Sequence, residues 1–128
     1  MAINADGASR GNPGPAAIGA TIKDEQGGLI ARIARPIGRA TNNQAEYQAV
    51  IAALREAVRL GARKVDIRLD SELVVRQLSG RYRVKNAALK ALYQEAKGLL
   101  ARLETVTIRH VPREQNQEAD RLANMALR

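Results

Sequence analysis

The sequence predicts an α/β domain on a five-stranded mixed sheet, three antiparallel strands plus two parallel ones, flanked by helices. Three observations lead there. The N-terminal third holds three strand-like stretches joined by short turns, which suits an antiparallel meander. Beyond Thr41 the apolar period becomes helical and short strands alternate with helices, which favours parallel pairing. A length of 128 residues accommodates one core, so residues 1–128 are read as a single domain.

The first strand is expected over Met1 to Asp6, an apolar stretch ending in a carboxylate. A glycine- and proline-rich loop follows, GASRGNPGP from Gly7 to Pro15. Ala16 to Lys23 alternates as a strand, Asp24 to Gly28 is a hairpin turn, and Leu29 to Ile37 alternates again. From Asn43 to Leu60 the residues Tyr47, Val50, Ile51, Leu54 and Val58 recur at helical spacing; Thr41 or Asn42 can cap this helix and Gly61 can end it. Lys64 to Asp70 is a short strand with Val65, Ile67 and Leu69 on one face. Ser71 can cap a short helix to Leu78, and Gly80 to Asn86 (GRYRVKN) is a basic connector. Ala87 to Leu103 is a second long amphipathic helix, Thr105 to Val111 the last strand, VPREQNQ a polar loop, and Glu118 to Leu127 a terminal helix.

Composition excludes several function classes. There is no cysteine, so disulfides, thiolate metal sites and a thiol nucleophile are out. No apolar run approaches the roughly 18 residues of a membrane span, and no signal peptide is visible at MAINAD, so no membrane partner and a cytoplasmic location are expected. Lys plus Arg is 21 against 13 Asp plus Glu, a net charge of +8 that favours a phosphate-bearing partner. With three tyrosines and neither Phe nor Trp, binding by many stacked single-stranded bases is poorly supported.

Against that basic background four acids stand out. Asp6 and Asp70 end strands, Glu46 lies in the first turn of the long helix beside its apolar face, and Asp120 lies in the first turn of the last helix. Each alone has a structural reading, because acids in first turns complement the helix dipole and aspartates after strands begin turns. Together, at one sheet edge, they would repel one another unless a cation sat among them. An all-oxygen site suits Mg²⁺ or Mn²⁺. On a phosphate-seeking surface its natural chemistry is metal-assisted phosphodiester cleavage, one ion activating water and the other stabilising the leaving oxygen.

These residues resemble the ribonuclease H family, type 1, over nearly the whole chain. DGASRGNPGP (Asp6 to Pro15) is similar to the family's first-strand signature, and TNNQAE (Thr41 to Glu46) to the segment carrying its glutamate. LDS (Leu69 to Ser71) resembles the strand end with its second aspartate, and REQNQEADRLAN (Arg113 to Asn124) the helix with its last. The resemblance implies a ribonuclease H-like fold and an endonuclease that cuts the RNA strand of RNA–DNA hybrids, leaving 5′-phosphate and 3′-hydroxyl ends. Asp6, Glu46, Asp70 and Asp120 would hold two Mg²⁺ ions, with Mn²⁺ able to substitute. Gly7, Ala8 and Ser9 would let backbone approach the minor groove, where 2′-hydroxyls distinguish RNA from DNA. Asn12, Asn42 and Asn43 match duplex-touching positions, Thr41 one that holds a DNA phosphate, and Lys85 and Asn86 a pair on the DNA side. Glu72 stands where relatives often have glutamine. The residues alone leave turn and capping chemistry open for the asparagines.

Two departures from the family pattern bear on function. Many relatives carry an extra helix and basic loop where this chain has only GRYRVKN, so the sequence is similar to a short form, with Arg81, Arg83 and Lys85 in partial compensation. Many relatives also place a histidine in the loop before the last aspartate. The one histidine here, His110, alternates with Val106 and Ile108 and is expected to face inward from the last strand as a structural residue. Arg113 is the candidate for the auxiliary catalytic role. Three alternatives stay open: cleavage that extends to double-stranded RNA or RNA–DNA junctions, a basic domain that only binds nucleic acid, and a module of a larger protein. A monomer is expected, and nothing in the chain resembles a separate hybrid-binding domain.

Overall fold

The computed structural model describes residues 1–128. The strands are β1 (Ala2–Ser9), β2 (Gly14–Lys23), β3 (Leu29–Ala40), β4 (Lys64–Leu69) and β5 (Thr105–His110), and the helices α1 (Asn42–Arg59), α2 (Glu72–Leu78), α3 (Ala87–Leu100) and α4 (Gln117–Ala126). Sheet order is β3-β2-β1-β4-β5; β1, β2 and β3 pair antiparallel, and β1, β4 and β5 pair parallel. The mixed sheet expected from the sequence is therefore present, with β1 at its centre.

Local chemistry sets the connections. In the β2–β3 turn the Asp24 carboxylate accepts from the Gln26 and Gly28 N–H groups at 3.0 and 2.7 Å. Thr41 and Gln44 form a capping box at the start of α1: Thr41 Oγ1 accepts from the Gln44 N–H (3.1 Å) and Gln44 Oε1 from the Thr41 N–H (2.8 Å). The buried residues of α1 are mostly small or branched, including Ala45, Ala49, Val50, Ala53 and Leu54, so the helix lies close over β1. At its inner side the buried Tyr47 hydroxyl donates to Gln77 Oε1 of α2 at 2.6 Å, which satisfies both polar groups and ties the two helices together.

Helices α1, α2 and α3 cover one face of the sheet, over a core that includes Ile3, Ile22, Ile67 and Leu69. Helix α4 covers β1, β2 and β3 on the other face through Ala119, Leu122 and Ala123. There β4 and β5 present polar side chains, with Asp66 accepting from Arg68 (3.0 Å) and Arg109 (2.5 Å).

Several boundaries differ from the sequence reading. Strand β1 runs through Asp6 to Ser9, because Asp6–Ser9 pair with Ala16–Gly19 of β2, and the loop shrinks to residues 10–13, closed by the Arg10 N–H on the Pro15 carbonyl at 2.8 Å. Strand β3 passes Pro36 to reach Ala40. Proline is tolerated because β3 is an edge strand, and a bulge opposite Ala16 and Ala17 absorbs Ile37 beside Gly38, whose φ is 78°. Helix α3 stops at Leu100, and Arg113–Gln115 form one 3₁₀ turn within the polar loop.

His110 also departs from expectation. It shares the Val106 and Ile108 face but is exposed, because it is the last residue of β5, the other edge strand. It lies in a hollow with Glu72, Arg76 and Arg81 rather than in the core.

Candidate active site

The sheet register brings the acids together. Ala5 of β1 pairs with Leu69 of β4 in parallel, so Asp6 and Asp70, each one residue further on, emerge side by side. Glu46 arrives from the first two turns of α1. The Gly7 N–H donates to its Oε1 at 2.8 Å. This close approach needs glycine: a Cβ on Gly7 would lie 2.3 Å from the Ala45 carbonyl carbon and 2.5 Å from the Glu46 nitrogen. The missing side chain at Gly7 thus makes room for α1.

Oxygens of Asp6, Glu46 and Asp70 lie within 4.8 Å of one another. Asp120, on α4, lines the same cleft of about 450 Å³ and stands outside that tight trio, beside Asp6. Its helix is anchored nearby by the buried Asn116, whose amide donates to the Ala5 carbonyl (2.9 Å) and accepts from Asn4 Nδ2 (3.1 Å).

Asp6 is 5% exposed and Glu46 is 9% exposed. Burial, then the neighbouring carboxyls of Glu46, Asp120 and Asp70, push the Asp6 carboxyl up to about 10. Burial also raises Glu46, against the lowering by hydrogen bonds from Asp6 and Gly7. Glu46 Oε2 is buried without any hydrogen-bond partner. A cluster of hard oxygen donors, one of them orphaned and all short of counter-charge, fits a divalent cation of the Mg²⁺ or Mn²⁺ type.

Without metal, the sign of the pH effect follows from the raised Asp6. Above its unfolded value of 3.8 the unfolded chain gives up this proton while the folded chain retains it until about 10, so folding stability falls as pH rises across that window. Asp6→Asn removes the Asp6 part of the slope and leaves that of the raised Glu46. In chelator, the variant is expected to be more stable than the native chain near neutral pH by ~1–2 kcal/mol, and the gap to close toward pH ~4. Urea unfolding of both proteins across pH checks this, and a variant less stable at every pH contradicts it.

The remaining candidates divide. Gly7, Ala8, Ser9, Asn42, Asn43 and Arg113 line the cleft. Ser9 donates from Oγ to the Ala40 carbonyl at 2.9 Å. Asn12 and Thr41 sit at its margin in structural roles: Asn12 Oδ1 accepts from the Asn42 N–H at 3.0 Å, and Thr41 caps α1. Glu72, Lys85 and Asn86 do not line the cleft. Glu72 pairs with Arg76 one turn along α2, and Asn86 caps α3 by accepting from the Leu89 N–H at 3.1 Å. Two cleft residues escaped the sequence reading. Ser71, which lines the cleft, has from sequence only the signal of a helix cap. Asn124 donates to Asp120 Oδ1 at 3.2 Å, and its position four residues after Asp120 is a signal that could have marked it.

Two aspartates side by side just past the last β1–β4 pairing, met by a glutamate from α1 and an aspartate from α4 in this sheet order, define a ribonuclease H-like domain. The chain belongs to the family described as Reverse transcriptase-like, which it matches over residues 4–126, and within it to the ribonuclease H1 group. The N-terminal RNase H domain of Rv2228c from Mycobacterium tuberculosis, solved as a fusion with maltose binding protein, superposes with a TM-score of 0.97 at 47% identity, covering 99% of this chain and 98% of that one. RNase H1 from Halobacterium salinarum gives 0.96 at 47% identity, covering 98% and 96%. LC11-RNase H1 in complex with an RNA/DNA hybrid gives 0.93 at 41% identity, covering 98% and 95%. The chain spans 35% of the length of the bifunctional protein Rv2228c and 61% of that of the Halobacterium salinarum ribonuclease HI.

Proposed function

We propose that the chain hydrolyses the RNA strand of RNA–DNA hybrids with two Mg²⁺ ions, leaving 5′-phosphate and 3′-hydroxyl ends, and that Mn²⁺ substitutes. The observation that carries this reading is the acid trio, whose carboxylate oxygens lie within 4.8 Å of one another, with Glu46 Oε2 buried and partnerless. A relative solved with an RNA/DNA hybrid, 41% identical, supports the substrate class.

When bound, the metals supply an activated water and charge neutralisation at the leaving oxygen. The protein's own residues do the rest. Asp6, Glu46, Asp70 and Asp120 hold the ions. Gly7 fixes one oxygen of Glu46 and leaves the other free for metal. Backbone at Gly7, Ala8 and Ser9, with the amides of Asn42 and Asn43, lines the groove in which the 2′-hydroxyls of the RNA strand would be read. Asn12 and Thr41 hold that wall, and Glu72, Lys85 and Asn86 contact the duplex beyond the cleft.

The test is cleavage of end-labelled hybrid, with and without Mg²⁺, beside duplex RNA and duplex DNA of the same sequence. Mg²⁺-dependent cuts in the RNA of the hybrid support the reading. Binding without cleavage in any arm supports a non-catalytic domain instead, and equal cutting of duplex RNA a wider specificity.

Two further results are expected. Arg113 lines the cleft and His110 does not, so Arg113→Ala lowers kcat by about ten-fold or more through a lost phosphate contact, while His110→Ala changes it less than about two-fold. The reverse order in single-turnover rates hands the auxiliary role to His110. Hybrid affinity is also expected to fall steeply with salt, because the exposed Arg81, Arg83 and Lys85 of the short connector offer charge without a docking helix. Replacing Arg81 and Arg83 together lowers the salt slope of log Kd by about 2. A slope near zero in the native chain contradicts the electrostatic account.

A further inference from the structure

Gly19 has no polar atoms in the cleft and no side chain, yet it lies directly across from Asp6 in the β1–β2 pairing. Opposed residues of an antiparallel pair face the same side of the sheet. On that side α4 rests on Gly19. A Cβ there would lie 2.2 Å from the Ala119 carbonyl oxygen, 2.4 Å from the Ala123 nitrogen and 2.9 Å from Leu122 Cβ. The first two are backbone atoms on either side of Asp120, so no rotamer change relieves the clash. On the same helix Asn116 is bonded to the Ala5 carbonyl, next to Asp6. Asp120 is thus carried by a turn of helix seated on the partner of Asp6 and tied to its neighbour.

We propose that Gly19 is a positioning residue for the fourth carboxylate: by leaving no atom between β2 and the α4 backbone, it sets how deeply α4 sits and so how far Asp120 lies from Asp6. This rests on the reading of the four acids as the metal site. The close seating of the α4 backbone on Gly19 carries it, since a helix covering this face for stability alone could ride higher on an alanine.

Gly19→Ala lifts α4 by the clearance a methyl group requires. Hybrid KM is expected to stay within about two-fold of native while kcat falls about 100-fold, because the groove wall is untouched and a ligand is displaced. Titration of the metal-free protein with Mn²⁺ alone, in the absence of nucleic acid, is expected to give a Kd raised roughly ten-fold. Leu122→Ala is the control: it removes buried bulk from the same helix and adds nothing beneath it. It lowers Tm and leaves Mn²⁺ affinity near native. If Gly19→Ala does not fold, Ala123→Val enlarges a fully buried side chain of α4 next to the same seat and is read by the same titration.

The proposal is overturned if the folded variant loses Tm as Leu122→Ala does while Mn²⁺ affinity and kcat remain native. A native chain that neither cleaves hybrid nor binds Mn²⁺ overturns the proposed function itself, which separates the two failures.

Discussion

Asp70→Asn is expected to leave the chain folded and to lower Mg²⁺-dependent hybrid cleavage by about a thousand-fold or more. Asp70 follows β4 directly after the fully buried Leu69, and its carboxylate is one of the three whose oxygens lie within 4.8 Å. Asparagine keeps the shape and one oxygen but removes the charge. Metal-borne stabilisation of a phosphodiester transition state is worth several kcal/mol, and about 4 kcal/mol corresponds to that rate loss. Circular dichroism and a native-like melting temperature establish the fold, and single-turnover cleavage gives the rate. Equal rates in the two proteins remove Asp70 from the mechanism.

The second large effect belongs to Gly7. A methyl group there meets only backbone: the Ala45 carbonyl carbon at 2.3 Å, its oxygen at 2.5 Å and the Glu46 nitrogen at 2.5 Å. Contact at ordinary van der Waals distance requires α1 to retreat from β1, carrying Glu46 away from Asp6 and breaking the 2.8 Å bond from the Gly7 N–H. Gly7→Ala is therefore expected to lower stability by about 3 kcal/mol, the upper part of the usual overpacking range. The displaced ligand should cost at least about 100-fold in kcat. Thermal melting and cleavage rates check both. A variant with native Tm and native rate means that α1 does not press on β1 as described.

Much of the fold is legible because its cues are local. The strands of the meander alternate, α1 and α3 keep a helical apolar period, and Thr41, Ser71 and Asn86 cap helices as their residue types suggest. The features without a local cue depend on partners distant in sequence. The glycines and prolines of residues 7–15 look like a loop until β2 pairs with them, and Pro36 looks like the end of a strand until β3 is seen to be an edge. His110 has the alternation of an inward residue, but it stands at the end of an edge strand, which only the sheet order reveals.

The site divides in the same way. Four carboxylates in a chain of net charge +8 are conspicuous from sequence, and all four line one cleft. The 3+1 arrangement is not legible, since it depends on register and on how α4 is seated. Gly7 illustrates the limit: the sequence marks it as a point of close backbone approach, yet the backbone that approaches is α1. Gly19 carries no local cue at all; its importance arises from pairing with Asp6 on one edge and with α4 above. The start of α1 joins both kinds of cue: Thr41 caps the helix and Asn12 accepts from the Asn42 N–H, while Asn42 and Asn43 also line the cleft.

Four acids, remote in the chain, line one cleft, and a cation bound among them is the expectation on which the proposed chemistry depends. Anomalous diffraction from crystals of the native chain grown with Mn²⁺ tests that most directly. The expected result is Mn²⁺ bound among Asp6, Glu46 and Asp70, in contact with Glu46 Oε2 and with Asp120 facing the ion. Mn²⁺ bound elsewhere, or a cleft whose carboxylates stay metal-free at millimolar Mn²⁺, contradicts it.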